Sequence, residues 1–179
     1  MENKKSTSKP NIEYGVTYGI LMILSFILIY ALGVSPIEKP MIGRISSLSS
    51  YFLFPIIFIY LGITTHKKNN FGFVSISECL KTGVSIVFIA ALLFAVFSVV
   101  FNLIFPEFID QILVQTRQVM LKQNPNLTSE QVEMALSITK KFSSPIFSVP
   151  VTLLMFSFLG LIYSLIIGLI LKKDKPQFD

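Results

Sequence analysis

The sequence predicts an all-α integral membrane protein: a four-helix bundle with an extramembrane amphipathic helical hairpin between spans 3 and 4. Its 179 residues are 53% hydrophobic and only 14% charged, with a mean hydropathy of +0.70. A soluble domain carries about a quarter charged residues. Four long runs contain no charged residue, and one long polar interval, residues 106–144, separates the last two of them. We therefore expect a single membrane domain covering residues 1–179.

Each of the four runs is long enough to cross a hydrocarbon core of ~30 Å, which needs ~20 residues. The predicted spans are residues 14–34, 45–64, 82–105 and 146–171. Residues 1–10 are polar and predict a tail without packed structure. Pro55 lies in the middle of the second run, where we expect a kink, because neighbouring helices and nearby serine side chains can satisfy the carbonyl that a proline leaves free.

The loop before the third span carries two local signals. Ser75 and Glu78 have the spacing of a capping box, which predicts that a helix starts at the membrane surface and continues into the span. His66 lies beside two lysines. This pattern is typical of a solvated cluster that faces lipid headgroups.

The polar interval has the signals of two helices. Glu107 opens the first with a carboxylate at the positive end of the helix dipole, and the turn residues 124–126 end it. Thr128 and Gln131 form a second capping-box spacing. The predicted helices are Glu107–Lys122 and Ser129–Phe142.

Helices this short are marginal in isolation, so their apolar faces must pack on each other, on the bundle, on the lipid surface or on a partner. In the second helix the predicted inner face is Val132, Ala135, Leu136, Thr139 and Phe142. The charged side chains form the candidate interaction surface, represented by Asp110, Arg117, Glu133 and Lys140.

Small residues at four-residue spacing allow helix backbones to approach closely. The candidate helix-packing residues are Gly15 and Gly19 in the first span, and Gly160, Ser164 and Gly168 in the fourth. The spacing fits packing inside one bundle, and it also fits association with a second copy or with another membrane protein.

Basic residues are unevenly distributed between the two sides. One side holds Lys4, Lys5, Lys9, Lys67, Lys68, Lys81, Lys172, Lys173 and Lys175, and the other holds Lys39, Arg44, Arg117, Lys122, Lys140 and Lys141. The positive-inside rule then predicts cytoplasmic N- and C-termini in an inner (plasma) membrane, with the hairpin outside.

The chemistry that is missing is also informative. No charged residue lies in the central part of a span, which argues against ion pumps, proton-coupled transporters and voltage sensors. One cysteine and one histidine leave no basis for an intramolecular disulfide or a histidine-rich metal site. We identify no catalytic residue, no metal site and no cofactor. The net charge of +5 comes from lysines that flank the spans, so it does not indicate nucleic-acid binding.

Several segments resemble a known family. They are the first span with its GxxxG pair before Ser35-Pro36, SISECLKTG at the start of the third span, PEFIDQIL, LTSEQVEMAL and KKFSSP in the hairpin, and the final IYSLIIGLILKK. The chain resembles, over nearly its whole length, a bacterial membrane family catalogued as domain of unknown function number 4199. The resemblance implies a bacterial inner-membrane protein with four spans, and it carries no activity and no functional residues.

From these observations we expect a non-enzymatic accessory or interaction component of the cell envelope. The alternative is a transport or lipid-handling component that binds an apolar ligand between the hairpin and the kinked spans. The expected partners are the lipid bilayer and a membrane protein or a second copy of this chain.

Overall fold

The computed structural model describes residues 8–35, 37 and 39–175, and within these ranges its regular elements are helices. The helices are α1 (Ser8–Ala31), α2 (Pro40–Leu48), α3 (Phe54–Asn69), α4 (Ile76–Ile104), α5 (Glu107–Gln123), α6 (Ser129–Ser143) and α7 (Pro145–Leu171). A π-helical turn, Ser49–Leu53, joins α2 to α3, so Pro40–Asn69 is one continuous helical segment. We call the end of the bundle that carries α5 and α6 the hairpin end, and the opposite end the terminal end.

Among the described residues, α1, the α2–α3 segment, α4 and α7 are long and apolar enough to cross a membrane. Each helical segment starts before its predicted uncharged run, but α1 ends at Ala31, three residues before the predicted end of the first span, and α4 ends at Ile104, one residue before that of the third. The predicted unstructured tail is wrong for Ser8, Lys9 and Pro10, which form the first turn of α1. Pro10 is accommodated there because the first turn of a helix has no intrahelical acceptor for a backbone N–H. Residues 1–7 of that tail lie outside the described residues.

The helix ends follow local chemistry. Gly33 has φ +61° and ends α1, since Gly33 N–H donates to the Tyr30 carbonyl and Val34 N–H to the Ile29 carbonyl. At the start of α4 the predicted capping box is confirmed. The Glu78 N–H donates to Ser75 Oγ, and the Glu78 carboxylate accepts from the Ser75 N–H at 2.8 Å.

Helix α4 is the centre of the bundle and packs along α1 on one side and α7 on the other. Glycines bring the backbones close. A Cβ added at Gly15 would lie 2.8 Å from the Ile89 Cβ, and one added at Gly168 would lie 2.8 Å from the Cys79 Cβ. Added atoms at Gly19 and Gly160 would meet Leu93 and Val87, and Ser164 lies against Gly83 of α4 and donates to the Gly160 carbonyl. The five small residues singled out in the sequence thus all face α4 of their own chain.

Pro55 interrupts the hydrogen bonding of the second segment. It has no N–H to donate, and the Phe54 N–H instead reaches back to the Ser49 carbonyl in a π-type bond. The carbonyls of Ser50 and Tyr51 consequently lack their usual helical partners. The Tyr18 hydroxyl of α1 donates to Ser50 O at 2.6 Å, and the Tyr163 hydroxyl of α7 donates to Tyr51 O at 3.0 Å. Tyrosine hydroxyls from two neighbouring helices, and not the nearby serines, bond to the carbonyls that the kink leaves free.

The kink divides the second segment into two different halves. Helix α3 packs against α1, α4 and α7 and contains buried residues such as Ile59 and Ile63. Helix α2 has no buried residue. The half of the segment before the kink therefore packs less closely on the bundle, and a space lies between α2, α1 and α7 at the hairpin end.

Tyr163→Phe removes one hydroxyl from the kink, and we expect it to lower the free energy of unfolding in mixed micelles by about 1 kcal/mol. Tyr60→Phe is the control, because Tyr60 is exposed on α3. In a Pro55→Ala background the new N–H can bond to the freed carbonyl, so the cost of Tyr163→Phe should fall close to zero. An equal cost in both backgrounds would contradict this account of the kink.

Candidate functional site: a cavity beneath α5

A cavity of about 630 Å³ fills the space that the kink opens, within the ~300–1,000 Å³ of ligand sites. Its walls come from α1, the connection after α1, α2 with the π turn, Phe94 of α4, α5 and α7. The lining residues are Met22, Ser25, Phe26, Ile29, Tyr30, Gly33, Val34, Ser35, Ile37, Ser46, Ser47, Ser50, Tyr51, Phe94, Phe108, Gln111, Ile112, Gln115, Val151, Thr152, Met155 and Phe156. Helix α5 thus forms one wall of a space within the membrane-spanning bundle.

An aromatic cluster holds the first turn of α5 on the bundle. We define this cluster as Phe26, Tyr30, Phe94, Phe97, Phe101, Phe105 and Phe108. The Phe108 ring of α5 lies 5.6 Å from Phe26, 5.7 Å from Tyr30 and 5.2 Å from Phe101, each in an edge-to-face arrangement. Such pairs contribute about 0.5–1.5 kcal/mol each beyond their area of burial. The cluster therefore fixes where α5 leaves the bundle.

A hydrogen bond two turns further along α5 fixes its direction. The Ser35 hydroxyl donates to Gln115 Oε1 at 2.7 Å. Ser35 follows α1, so the connection between the first two spans is tied to the middle of α5. Phe108 and Gln115 are both in the cavity wall, and these two attachments place α5 over the cavity.

The cavity wall has an apolar part and a polar part. Met22, Phe94 and Phe156 come from the middle of α1, α4 and α7, and Met22 and Phe156 are buried. Nearer the hairpin end, Ser46 and Ser47 of α2 and Gln111 of α5 add polar side chains to the wall. No described residue of the lining carries a charge. The wall can hydrogen-bond a neutral polar group at one end and cover an aliphatic group at the other.

Helices α5 and α6 pack against each other, and α6 also contacts α7. The Thr128 hydroxyl accepts from the Gln131 N–H, and the Gln131 side chain accepts from the Thr128 N–H, which completes a capping box. Arg117 of α5 forms an exposed ion pair with Glu133 of α6 at 2.6 Å. Pairs of this kind contribute about 0–1 kcal/mol. The Arg117–Glu133 pair therefore sets the alignment of α5 and α6 more than it adds to their stability.

Two residues of the candidate interaction surface form an ion pair. Arg117 and Glu133 are paired with each other across the two helices, while Asp110 and Lys140 are exposed.

The predicted inner face of α6 needs one correction. Val132 is buried, and Ala135, Leu136 and Thr139 are half-buried, but Phe142 is 53% exposed and lies 6.1 Å from the Phe147 ring of α7. Phe142 joins Met134 and Ile138, which are 62% and 51% exposed, in an outer apolar stripe. Helical spacing alone allowed Phe142 on either face, because it lies at the border between them.

The prediction of a solvated histidine was wrong. His66 is only 8% exposed, and its Nε2 lies 3.6 Å from Glu78 Oε1 at the terminal end. Beside it, Lys67 Nζ donates to the Leu171 carbonyl at 2.7 Å, and Val74 and Lys173 exchange backbone hydrogen bonds. These contacts at the terminal end hold α3 and the start of α4 against the end of α7. Among the described residues, no group of three or more His, Cys, Asp or Glu side chains could hold a metal ion.

The four apolar helices and their packing define an all-α, multi-pass membrane protein. Within that class, the model of the family described as "Protein of unknown function (DUF4199)" matches residues 13–173, and the chain belongs to this family. The resemblance seen in the sequence is thereby confirmed. No curated protein and no solved structure matches the chain.

Phe108→Ala removes the ring that fixes α5 to the aromatic cluster. We expect amide protection in α5 and α6 to fall by about 1–3 kcal/mol, because three ring contacts are lost, while protection in α4 is retained. Hydrogen exchange on the purified protein measures both. Val114→Ala is the control, since Val114 is exposed on the same helix. Unchanged protection in α5 would show that the cluster does not hold it.

Proposed function

We propose that this protein binds an amphiphilic molecule from the membrane in the cavity beneath α5, as a transport or lipid-handling component. The observation that carries the proposal is the wall itself. It is mainly apolar near the middle of the spans, it mixes polar side chains with apolar ones at the hairpin end, and none of its described residues is charged. A lipid in a bilayer has the same order of groups, so a molecule can enter without reversing its orientation. The proposed role is binding, and it includes no catalytic step and no nucleic acid.

The π-helical turn strengthens this proposal. Single π-helical turns inside α-helices are frequent at functional sites, and Ser50 and Tyr51 of this turn line the cavity. The kink and the cavity therefore share the same residues. A kink that served packing alone would not need to leave a space of this size.

A second candidate is an accessory or interaction role in the cell envelope. The observation in its favour is the outer apolar stripe of α6, in which Met134 and Ile138 are well exposed. A membrane protein or a second copy of the chain could cover this stripe. The cavity supports the binding role more directly, because it is a shaped site with both polar and apolar walls.

We also propose that both termini are cytoplasmic and that α5 and α6 lie outside a bacterial inner membrane. The lysine distribution supports this orientation, and Lys172 and Lys173 directly follow α7. The ligand site would then lie near the outer leaflet.

A periplasm-active reporter tests this orientation. Fused after Asp179 it should be inactive, and inserted at Asn124 in the α5–α6 turn it should be active. Positive charge holds span ends on the cytoplasmic side, which is the physical reason. Activity at the C-terminus with none at Asn124 would reverse the proposed topology.

A cavity-filling variant tests the binding role. Thr152→Trp places a large ring in the cavity, whereas Leu154→Trp, two residues away on α7, adds the same ring at a position that is 72% exposed and outside the cavity wall. Native mass spectrometry of protein extracted in mild detergent should show bound amphiphile in the wild type and in Leu154→Trp. Thr152→Trp should lose most of it.

Two results would count against the proposal. One is a wild-type protein without bound amphiphile, and the other is equal retention in both tryptophan variants. A stoichiometric protein partner without lipid would favour the accessory role instead.

A further inference from the structure

We infer that the cavity selects an uncharged amphiphile, with a head of hydroxyl, amide or ester groups and an aliphatic tail. This inference rests on the proposed function and names its ligand class. It follows from the charge of the wall, from its hydrogen-bonding groups and from their order along the spans.

The first argument is electrostatic. Among the residues that the structure describes, which leave out 36 and 38 of the connection after α1, none in the wall is Asp, Glu, Lys, Arg or His. A charged head would leave water for a site of low dielectric constant without a counter-charge, and that transfer is strongly unfavourable. Charged residues do exist nearby in the chain, such as Arg44 and Asp110, but they are exposed and outside the wall. The site therefore discriminates against ionised heads of either sign.

The second argument concerns hydrogen bonds. Within the described part of the chain, the side chains of Ser46, Ser50, Gln111 and Thr152 have no hydrogen-bond partner. Hydroxyl and amide groups both donate and accept. They come from α2, the π turn, α5 and α7. Ser46 and Gln111 lie nearer the hairpin end, whereas Ser50 lies at the kink, where its carbonyl accepts from Tyr18. A neutral head that carries both donors and acceptors matches this set.

The third argument is the order of the wall. Gln111 and Ser47 are exposed at the hairpin end, whereas Met22 and Phe156 are buried near the middle of their helices. Gln111 and Ser47 therefore lie nearer the level of a membrane interface, and Met22 and Phe156 lie towards the bilayer centre. The head of the ligand should contact α5 and α2, and its tail should lie along α1 and α7.

Photolabelling with three probes of equal chain length tests the inference. Each probe carries a diazirine in its alkyl tail, and the heads are glycerol ester, sulfonate and trimethylammonium. We expect the glycerol ester to label the segments 22–30 and 151–156 of the full-length protein at least about tenfold more than either charged probe. The Thr152→Trp variant should lose this labelling, and Leu154→Trp should keep it.

A charge inserted into the wall should switch the preference. Gln111→Lys supplies a counter-charge at the head position, so labelling by the sulfonate should rise about tenfold relative to the glycerol ester. Val114→Lys is the matched control, because Val114 is exposed on the same helix and outside the wall. It should leave the preference unchanged.

The outcomes separate the two levels of the proposal. Equal labelling of the cavity segments by a charged probe and the glycerol ester would overturn the neutral-head inference and leave lipid binding in place. No cavity labelling by any probe would overturn both. A sulfonate preference that rises equally in Gln111→Lys and Val114→Lys would show that the head does not lie against α5.

Discussion

The constraint on which this structure depends is the satisfaction of backbone carbonyls next to Pro55. A membrane interior offers no water, so a carbonyl that loses its helical partner must find another one within the protein. Here the partners are the hydroxyls of Tyr18 and Tyr163, which come from the first and the last span. The kink is therefore bonded to two other helices and keeps a defined position.

That attachment separates the bundle into a close-packed part and an open part. From the kink to the terminal end, glycines such as Gly83 and Gly168 bring α7 against α4, and the Lys67–Leu171 hydrogen bond holds α3 to the end of α7. Towards the hairpin end, α2 buries no residue and lines the cavity. The bundle is thus closely packed at the terminal end and contains a space that can accept a ligand at the hairpin end.

Helix α5 turns this space into a site. Without α5, the cavity between α2, α1 and α7 would lack one wall. Phe108 seats its first turn in the aromatic cluster, and Gln115 is tied to the connection after α1. The same helix contributes Gln111 and Gln115 to the polar end of the wall. The attachment of α5 and the chemistry proposed for the site therefore involve the same short stretch of sequence.

Local patterns in the sequence were sufficient for the fold class, the four apolar helices and the helix starts at Ser75 and Thr128, because hydropathy, caps and turns act over a few residues. The cavity and its wall were not predictable residue by residue. They depend on pairs such as Tyr18 with Ser50 and Tyr163 with Tyr51, which are 32 and 112 residues apart in the chain. The burial of His66 and the outward position of Phe142 were likewise not predictable from local patterns. Each is decided by which neighbour a helix meets, and periodicity within one helix identifies a face without identifying what lies opposite it.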